Sequence, residues 1–136
     1  MKVVLDTNVV ASGIFWSGAP FEIIQAVDEG KLEMVITEEI FSEYTRVITS
    51  LGDKYKKGVD EILYTIKLKA HWSTPVLLAY PVCEDPDDDK FIECAVSANV
   101  KLIVSGDKLL LRCSGYHSID ILTPRSFVMK YLLGKK

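Results

Sequence analysis

Cysteine is scarce in this chain and histidine scarcer. Cys83, Cys94 and Cys113 stand far apart, and no Cys-x-x-Cys pair exists. That spacing excludes a zinc knuckle and a thioredoxin-like motif, and the odd count fits reduced thiols in or near a core. The two histidines, His71 and His117, are isolated. Neither a His/Cys metal site nor a Ser-His-Asp triad has local support. Long apolar runs are also missing: the stretch 76–79 falls far short of the ~20 residues that span a bilayer. An acid at position 6 interrupts the place where a signal peptide would carry its apolar core. A cytoplasmic chain with no membrane contact is the expectation. Finally, positive charge is not in excess. Sixteen Lys and Arg face 19 Asp and Glu, a net charge of −3, whereas nucleic-acid binders are usually basic.

What is present describes a foldable domain. The 136 residues suit a single domain over 1–136. Hydrophobic residues make up 49% and charged residues 26%, enough apolar surface to offset the chain entropy of folding. Residues 2–5, 34–36, 102–105 and 118–122 read as strands, and 75–78 as a further short one. Helices are predicted over 20–29, opened by Pro20 and closed by Gly30, and over 59–70, 87–98 and from Pro124 onward. Another starts after an N-cap at Thr37 and carries Ile40, Phe41, Tyr44, Val47, Ile48 and Leu51 on one stripe. Gly13 and Gly18 flank Ile14-Phe15-Trp16-Ser17, which reads as a loop after the first strand. Such alternation implies a mostly parallel sheet with helices on both faces.

In open sheets of this kind, ligands bind outside the carboxyl ends of the strands, near the point where strand order reverses. Asp6 ends the first apolar run, and Asp107 lies just past the run 102–105. Either alone reads first as a turn or cap aspartate; two at one edge weaken that reading. Glu43 falls roughly 40° from Val47 and roughly 60° from Ile40 on a helical wheel, on the shoulder of the apolar stripe. An i,i+3 ion pair with Arg46 is its alternative role. Residues 84–89, Glu-Asp-Pro-Asp-Asp-Asp, hold five acids in six positions. A helix N-terminus welcomes one or two, but five neighbouring charges repel. Asp88, Phe91, Ile92 and Ala95 follow the i, i+3, i+4, i+7 pattern, so Asp88 shares the buried face.

Asp6, Glu43, Asp88 and Asp107 would then converge, with no lysine or arginine obviously among them. Unpaired, they would raise one another's pKa values and oppose folding. Hard divalent cations such as Mg²⁺ and Mn²⁺ resolve this. One or two such ions suit phosphodiester hydrolysis, one activating water and a second stabilising the leaving oxygen.

Four segments carry a family resemblance: Val-Val-Leu-Asp-Thr-Asn-Val at 3–9, Ile-Thr-Glu-Glu-Ile-Phe-Ser-Glu-Tyr at 36–44, Asp-Pro-Asp-Asp-Asp-Lys-Phe-Ile-Glu-Cys-Ala at 85–95, and Leu-Ile-Val-Ser-Gly-Asp-Lys-Leu-Leu at 102–110. In this order and spacing the chain resembles PIN-domain ribonucleases, and among them the prokaryotic VapC-like toxins of toxin–antitoxin systems. The resemblance implies a three-layer α/β/α sandwich around a parallel sheet. It implies Mg²⁺- or Mn²⁺-dependent RNA hydrolysis that leaves a 5′-phosphate and a 3′-hydroxyl. It assigns the four metal-binding and catalytic acids to Asp6, Glu43, Asp88 and Asp107, with Asp89 replacing Asp88 if the register slips by one. Glu43 would hold metal directly or orient a bound water. Asn8 matches a polar residue that supports the first acid, and Ser105 a hydroxyl that precedes the last. An antitoxin protein and a homodimer are partners that the family implies.

Phe15 or Trp16 would stack on a base, or else pack in the core or against a partner. Lys54, Lys56, Lys57, Lys67 and Lys69 make a locally basic region, offset by Asp53, Asp60 and Glu61. Two rival readings stand beside the nuclease. A phosphatase of the haloacid-dehalogenase type, or a receiver domain, also ends its first strand on an aspartate. The phosphatase, however, has a second aspartate where this chain has Asn8, and the receiver gathers acids where this chain has only Met1 and Lys2. A catalytically inactive PIN-like module that binds RNA or protein is the other, and the presence of all four acids argues against it. The net charge is less hostile to nucleic acid than it first reads. Eight of the 19 acids are Asp6, Glu43, Glu84, Asp85, Asp87, Asp88, Asp89 and Asp107. The other 11 are outnumbered by 16 bases, so the body of the chain carries +5.

Overall fold

Val3, Val4 and Leu5 are wholly buried, as a strand covered on both faces requires. In the computed structural model, which describes residues 1–133, they form β1 (Lys2–Leu5) at the centre of a five-stranded sheet. The others are β2 (Glu33–Ile36), β3 (His71–Trp72), β4 (Leu102–Val104) and β5 (Asp120–Leu122), in the order β3-β2-β1-β4-β5. All four pairings are parallel. Helices cover the sheet, completing the three-layer α/β/α sandwich. From β1 the chain runs to β2 on one side and returns to β4 on the other. The carboxyl ends of β1 and β4 therefore flank the point where strand order reverses.

Among the described residues, seven α-helices fill the outer layers: α1 (Thr7–Phe15), α2 (Ala19–Asp28), α3 (Glu38–Tyr55), α4 (Asp60–Lys69), α5 (Asp89–Ser97), α6 (Lys108–Leu111) and α7 (Pro124–Phe127). Thr37 caps α3 by accepting the Ile40 N–H at 3.2 Å. The apolar stripe of α3 buries Ile40, Tyr44 and Ile48, with Phe41, Val47 and Leu51 half-buried beside them. α5 lies across β1, β2 and β4 and buries Phe91, Ile92, Cys94 and Ala95. Among the described residues, no helix is long and apolar enough to cross a membrane.

Four expectations need correction. Residues 75–78 form no strand; the third strand is His71–Trp72, paired to Val35 and Ile36. The ladder is made as the chain leaves α4, and Pro75, which has no N–H, follows its end. Residues 13–15 are not loop but the last turn of α1. β-Branched Thr7, Val9 and Val10 and the glycine at 13 are weak helix formers, but packing on α2 and α3 overrides propensity. A Cβ on Gly13 would strike the Ile24 side chain and lie 2.6 Å from the Pro20 carbonyl oxygen. Glycine is there for the α1–α2 approach. The helix expected over 87–98 is a 3₁₀ turn, Pro86–Asp88, that runs into α5. The C-terminal helix widens after α7 into π-type turns over Val128–Leu133.

Candidate functional site

Asp6 sits where β1 ends and α1 begins, 6% exposed. Its N–H continues the ladder to the Val104 carbonyl at 2.9 Å. Its Oδ2 accepts the hydroxyl of the fully buried Ser105 at 2.6 Å. Burial pushes the Asp6 carboxyl above its ordinary range. The Ser105 bond draws it back, and the nearby charges of Glu43 and Asp107 push it up again. Ser105 faces two ways, because its Oγ also accepts the Asp107 N–H at 2.9 Å. Asp107 in turn caps α6 through the Leu109 N–H at 2.9 Å. One hydroxyl thus ties together both strand-end aspartates.

Glu43 projects from the second turn of α3 and is mostly buried, at 15% side-chain exposure. Thr7 at the start of α1 donates a short hydrogen bond to its Oε2. The expected Arg46 partner is present at 3.7 Å, from an exposed side chain. A second cation is closer. Lys90, 4% exposed, places its Nζ 3.1 Å from Glu43 Oε1. That ammonium also meets Asp87 Oδ1 at 3.0 Å and donates to the Asp87 carbonyl at 2.6 Å. Burial pulls the Lys90 pKa down, but the Asp87 and Glu43 carboxylates outweigh it and the net shift is upward. The expectation that no basic residue stands among the acids is therefore wrong. On a wheel Lys90 leaves the buried face of α5, yet α3 packs on that side as well. Helical phase within α5 does not reveal a second covering helix.

The acidic stretch resolves residue by residue. Glu84 pairs with Arg112 at 3.2 Å. Asp85 accepts the Asp87 N–H at 3.0 Å and starts the 3₁₀ turn. Asp87 holds Lys90. Asp89 accepts the N–H groups of Cys83 at 2.8 Å and Val82 at 3.3 Å, pinning the preceding loop. Asp88 is different. It is 7% exposed, and its Oδ2 is the buried side-chain polar atom without a hydrogen-bond partner among the described residues. Burial first, then the charges of Asp107, Asp6 and Asp85, raise its pKa to about 7. A protonated Asp88 can bond to Asp107; an ionised one has only repulsion.

The four acids interact in pairs and do not form a closed cage. Among the described residues, no three His, Cys, Asp or Glu side chains are grouped so as to hold a metal ion. The donor set still fits a hard cation. It is all oxygen, it faces the switch point, and it contains a buried carboxylate with nothing to bind.

Other sequence candidates fall elsewhere. Asn8 is exposed, and no hydrogen bond among the described residues joins it to Asp6. It lines a groove with Ser12, Trp16, Arg46 and Ser50. Phe15 and Trp16 pack with Tyr55, ring centroids 5.7–6.1 Å apart, and Trp16 stays 49% exposed. Lys57 lies over Phe15 at 5.4 Å. Three residues escaped sequence reasoning: Thr7, Lys90 and Tyr44. The fully buried Tyr44 donates to the Leu5 carbonyl at 2.5 Å and holds the end of β1 in place. Its position on the apolar stripe was a signal of burial but not of that bond.

An uncharacterized protein of Methanocaldococcus jannaschii, MJ1680, is 27% identical over 146 aligned positions, covering 96% of this chain and 92% of that protein. The PIN domain family matches residues 2–109, a span that contains Asp6, Glu43, Asp88 and Asp107. PIN domains are generally nucleases and typically use divalent metal ions. With that match running over most of its length, this chain belongs to the PIN domain family.

Proposed function

We propose that this protein is a Mg²⁺- or Mn²⁺-dependent endoribonuclease that acts in the cytoplasm as the toxin of a VapC-like toxin–antitoxin pair. The observation that carries the reading is Asp88. Among the described residues, four of the five acids in 84–89 have protein partners, and Asp88 alone is buried with an oxygen, Oδ2, that has none. Such a group is costly unless something absent from the chain satisfies it. Asp6, Asp88 and Asp107 would hold the ion at the switch point, and Glu43 would stand behind them on α3. A bound divalent ion supplies activation of the attacking water and neutralises charge on the scissile phosphate.

The chain's own residues prepare this chemistry. Ser105 orients Asp6 and fixes the backbone of Asp107. Thr7 and Lys90 orient Glu43. Arg46, whose guanidinium is exposed beside Glu43, would meet an RNA phosphate. The groove from Asn8 and Arg46 to Trp16 offers single-stranded RNA a path with a stacking platform. An antitoxin partner and a homodimer belong to the same proposal.

The test is cleavage of single-stranded RNA by the purified protein with Mn²⁺ or Mg²⁺. Chelator and Asp6→Asn should each abolish it, and the products should carry 5′-phosphates. Cleavage that survives both treatments would overturn the mechanism. The toxin role is tested by growth arrest on expression, reversed by Asp6→Asn and by the co-expressed antitoxin.

A further inference from the structure

Lys90 enters the proposed chemistry only through Glu43. Its ammonium is almost completely withdrawn from solvent, yet it lies inside the acidic cluster and not at its rim. It bonds Glu43 Oε1, Asp87 Oδ1 and the Asp87 carbonyl. The other oxygen of Glu43 is taken by Thr7. Arg46 adds a second positive charge on the solvent side of the same carboxylate. Glu43 is thus satisfied on both oxygens and neutralised, while Asp88 on the neighbouring turn is not. The two halves of the cluster differ in what they lack.

From this asymmetry we infer that Lys90 is a built-in counter-cation standing where a second divalent ion would otherwise bind, so that the site takes one ion, at Asp6, Asp88 and Asp107. This rests on the metal-dependent reading above and specifies it. The reason is electrostatic. A divalent ion bound through Glu43 would have to share that carboxylate with the buried Lys90 ammonium, with little water to screen the two positive charges. Displacing Lys90 is no easier, because its ammonium would lose three oxygen partners in a buried position. An ion at Asp6, Asp88 and Asp107 meets the opposite situation, since the carboxylates there repel one another and a cation removes the repulsion.

Lys90 is accordingly a positioning residue. It ties α3, through Glu43, to the Asp85–Asp88 turn, through the Asp87 carbonyl. That tether sets where Asp88 stands relative to Asp6. Glu43 acts from behind the metal ligands, as an anchor for Lys90 and Thr7.

Counting bound Mn²⁺ tests this without reference to activity. Titration calorimetry, with free Mn²⁺ followed by electron paramagnetic resonance, should give one ion per wild-type chain. Glu43→Gln should still bind one ion, with affinity within about threefold of wild type. Lys90→Gln frees Glu43 and should bind two. The double variant Lys90→Gln/Glu43→Gln should return to one. Two ions in the wild type, or a loss of more than tenfold in affinity for Glu43→Gln, would overturn the inference. So would a folded Lys90→Gln protein that binds one ion. If Lys90→Gln does not fold, the wild-type count and the Glu43→Gln affinity decide. A wild-type chain that binds no Mn²⁺, or binds it equally well as Asp6→Asn, would overturn the metal-dependent reading itself.

Discussion

The Ser105 hydroxyl donates to Asp6 Oδ2 at 2.6 Å across 99 positions of sequence, in a place closed to solvent. The same oxygen accepts the Asp107 N–H, so a single side chain sets the relative placement of two acids from different strands. A partner that orients a ligating carboxylate typically matters 10–100-fold in metal affinity or activity. We expect Ser105→Ala to lower Mn²⁺ affinity by about that factor. Ser105→Thr, which keeps the hydroxyl, should stay close to wild type. Calorimetric titration of both variants checks the pair.

Asp88 predicts an unusual pH dependence for the metal-free protein. In the unfolded chain its carboxyl ionises near the ordinary 3.8, and in the fold near 7. Between those values the folded state holds a proton that the unfolded state has lost. The stabilisation from this group is therefore complete below about pH 4 and is lost as pH rises to about 7. Asp88→Asn keeps a neutral hydrogen-bonding side chain at all pH values. At pH 8 in chelator it should be more stable than wild type, with the difference gone at pH 4. Thermal melts across that range measure it, and added Mn²⁺ should reverse the order.

Asp89 predicts the opposite pattern. Its carboxylate accepts two backbone N–H groups of the loop before the acidic turn. Asp89→Ala leaves both donors without that partner and should cost about 1–3 kcal/mol. Mn²⁺ should still bind the folded fraction. A denaturant melt paired with a binding titration separates Asp89 from Asp88, which should fail in the reverse sense.

Cys94 is fully buried on α5, and burial pushes its thiol up to about 12. Alkylation requires the thiolate. Native protein at pH 8 should leave Cys94 unmodified by iodoacetamide while denatured protein reacts at all three cysteines. Mass mapping after a timed pulse reads this directly.

Periodicity and strand-end placement made much of the site legible. The apolar runs before Asp6 and Asp107 are strands because both their faces are covered, so composition alone marks them. The i, i+3, i+4, i+7 series through Asp88 placed it on the buried face, because a helix repeats its environment every turn. Such patterns report which side of an element is buried. They do not report what lies opposite. Lys90 falls off the stripe of α5 and is buried by α3; Thr7 and Tyr44 reach partners more than 35 positions away. Residues 7–15 became a helix against their local propensity because α2 and α3 enclose them.

Taken alone, the sequence determined the parallel α/β class and put Asp6 and Asp107 at the carboxyl ends of two strands. These follow from side-chain periodicity and chain direction, which are local properties. Only the tertiary structure decided which acids are already satisfied. Hydrogen bonds and ion pairs join Glu43 to Lys90, Asp89 to the loop at 82–83, and Asp6 to Ser105, and leave Asp88 Oδ2 without a partner among the described residues. Such pairings depend on atoms meeting within about 3 Å, which packing sets and local sequence pattern does not encode.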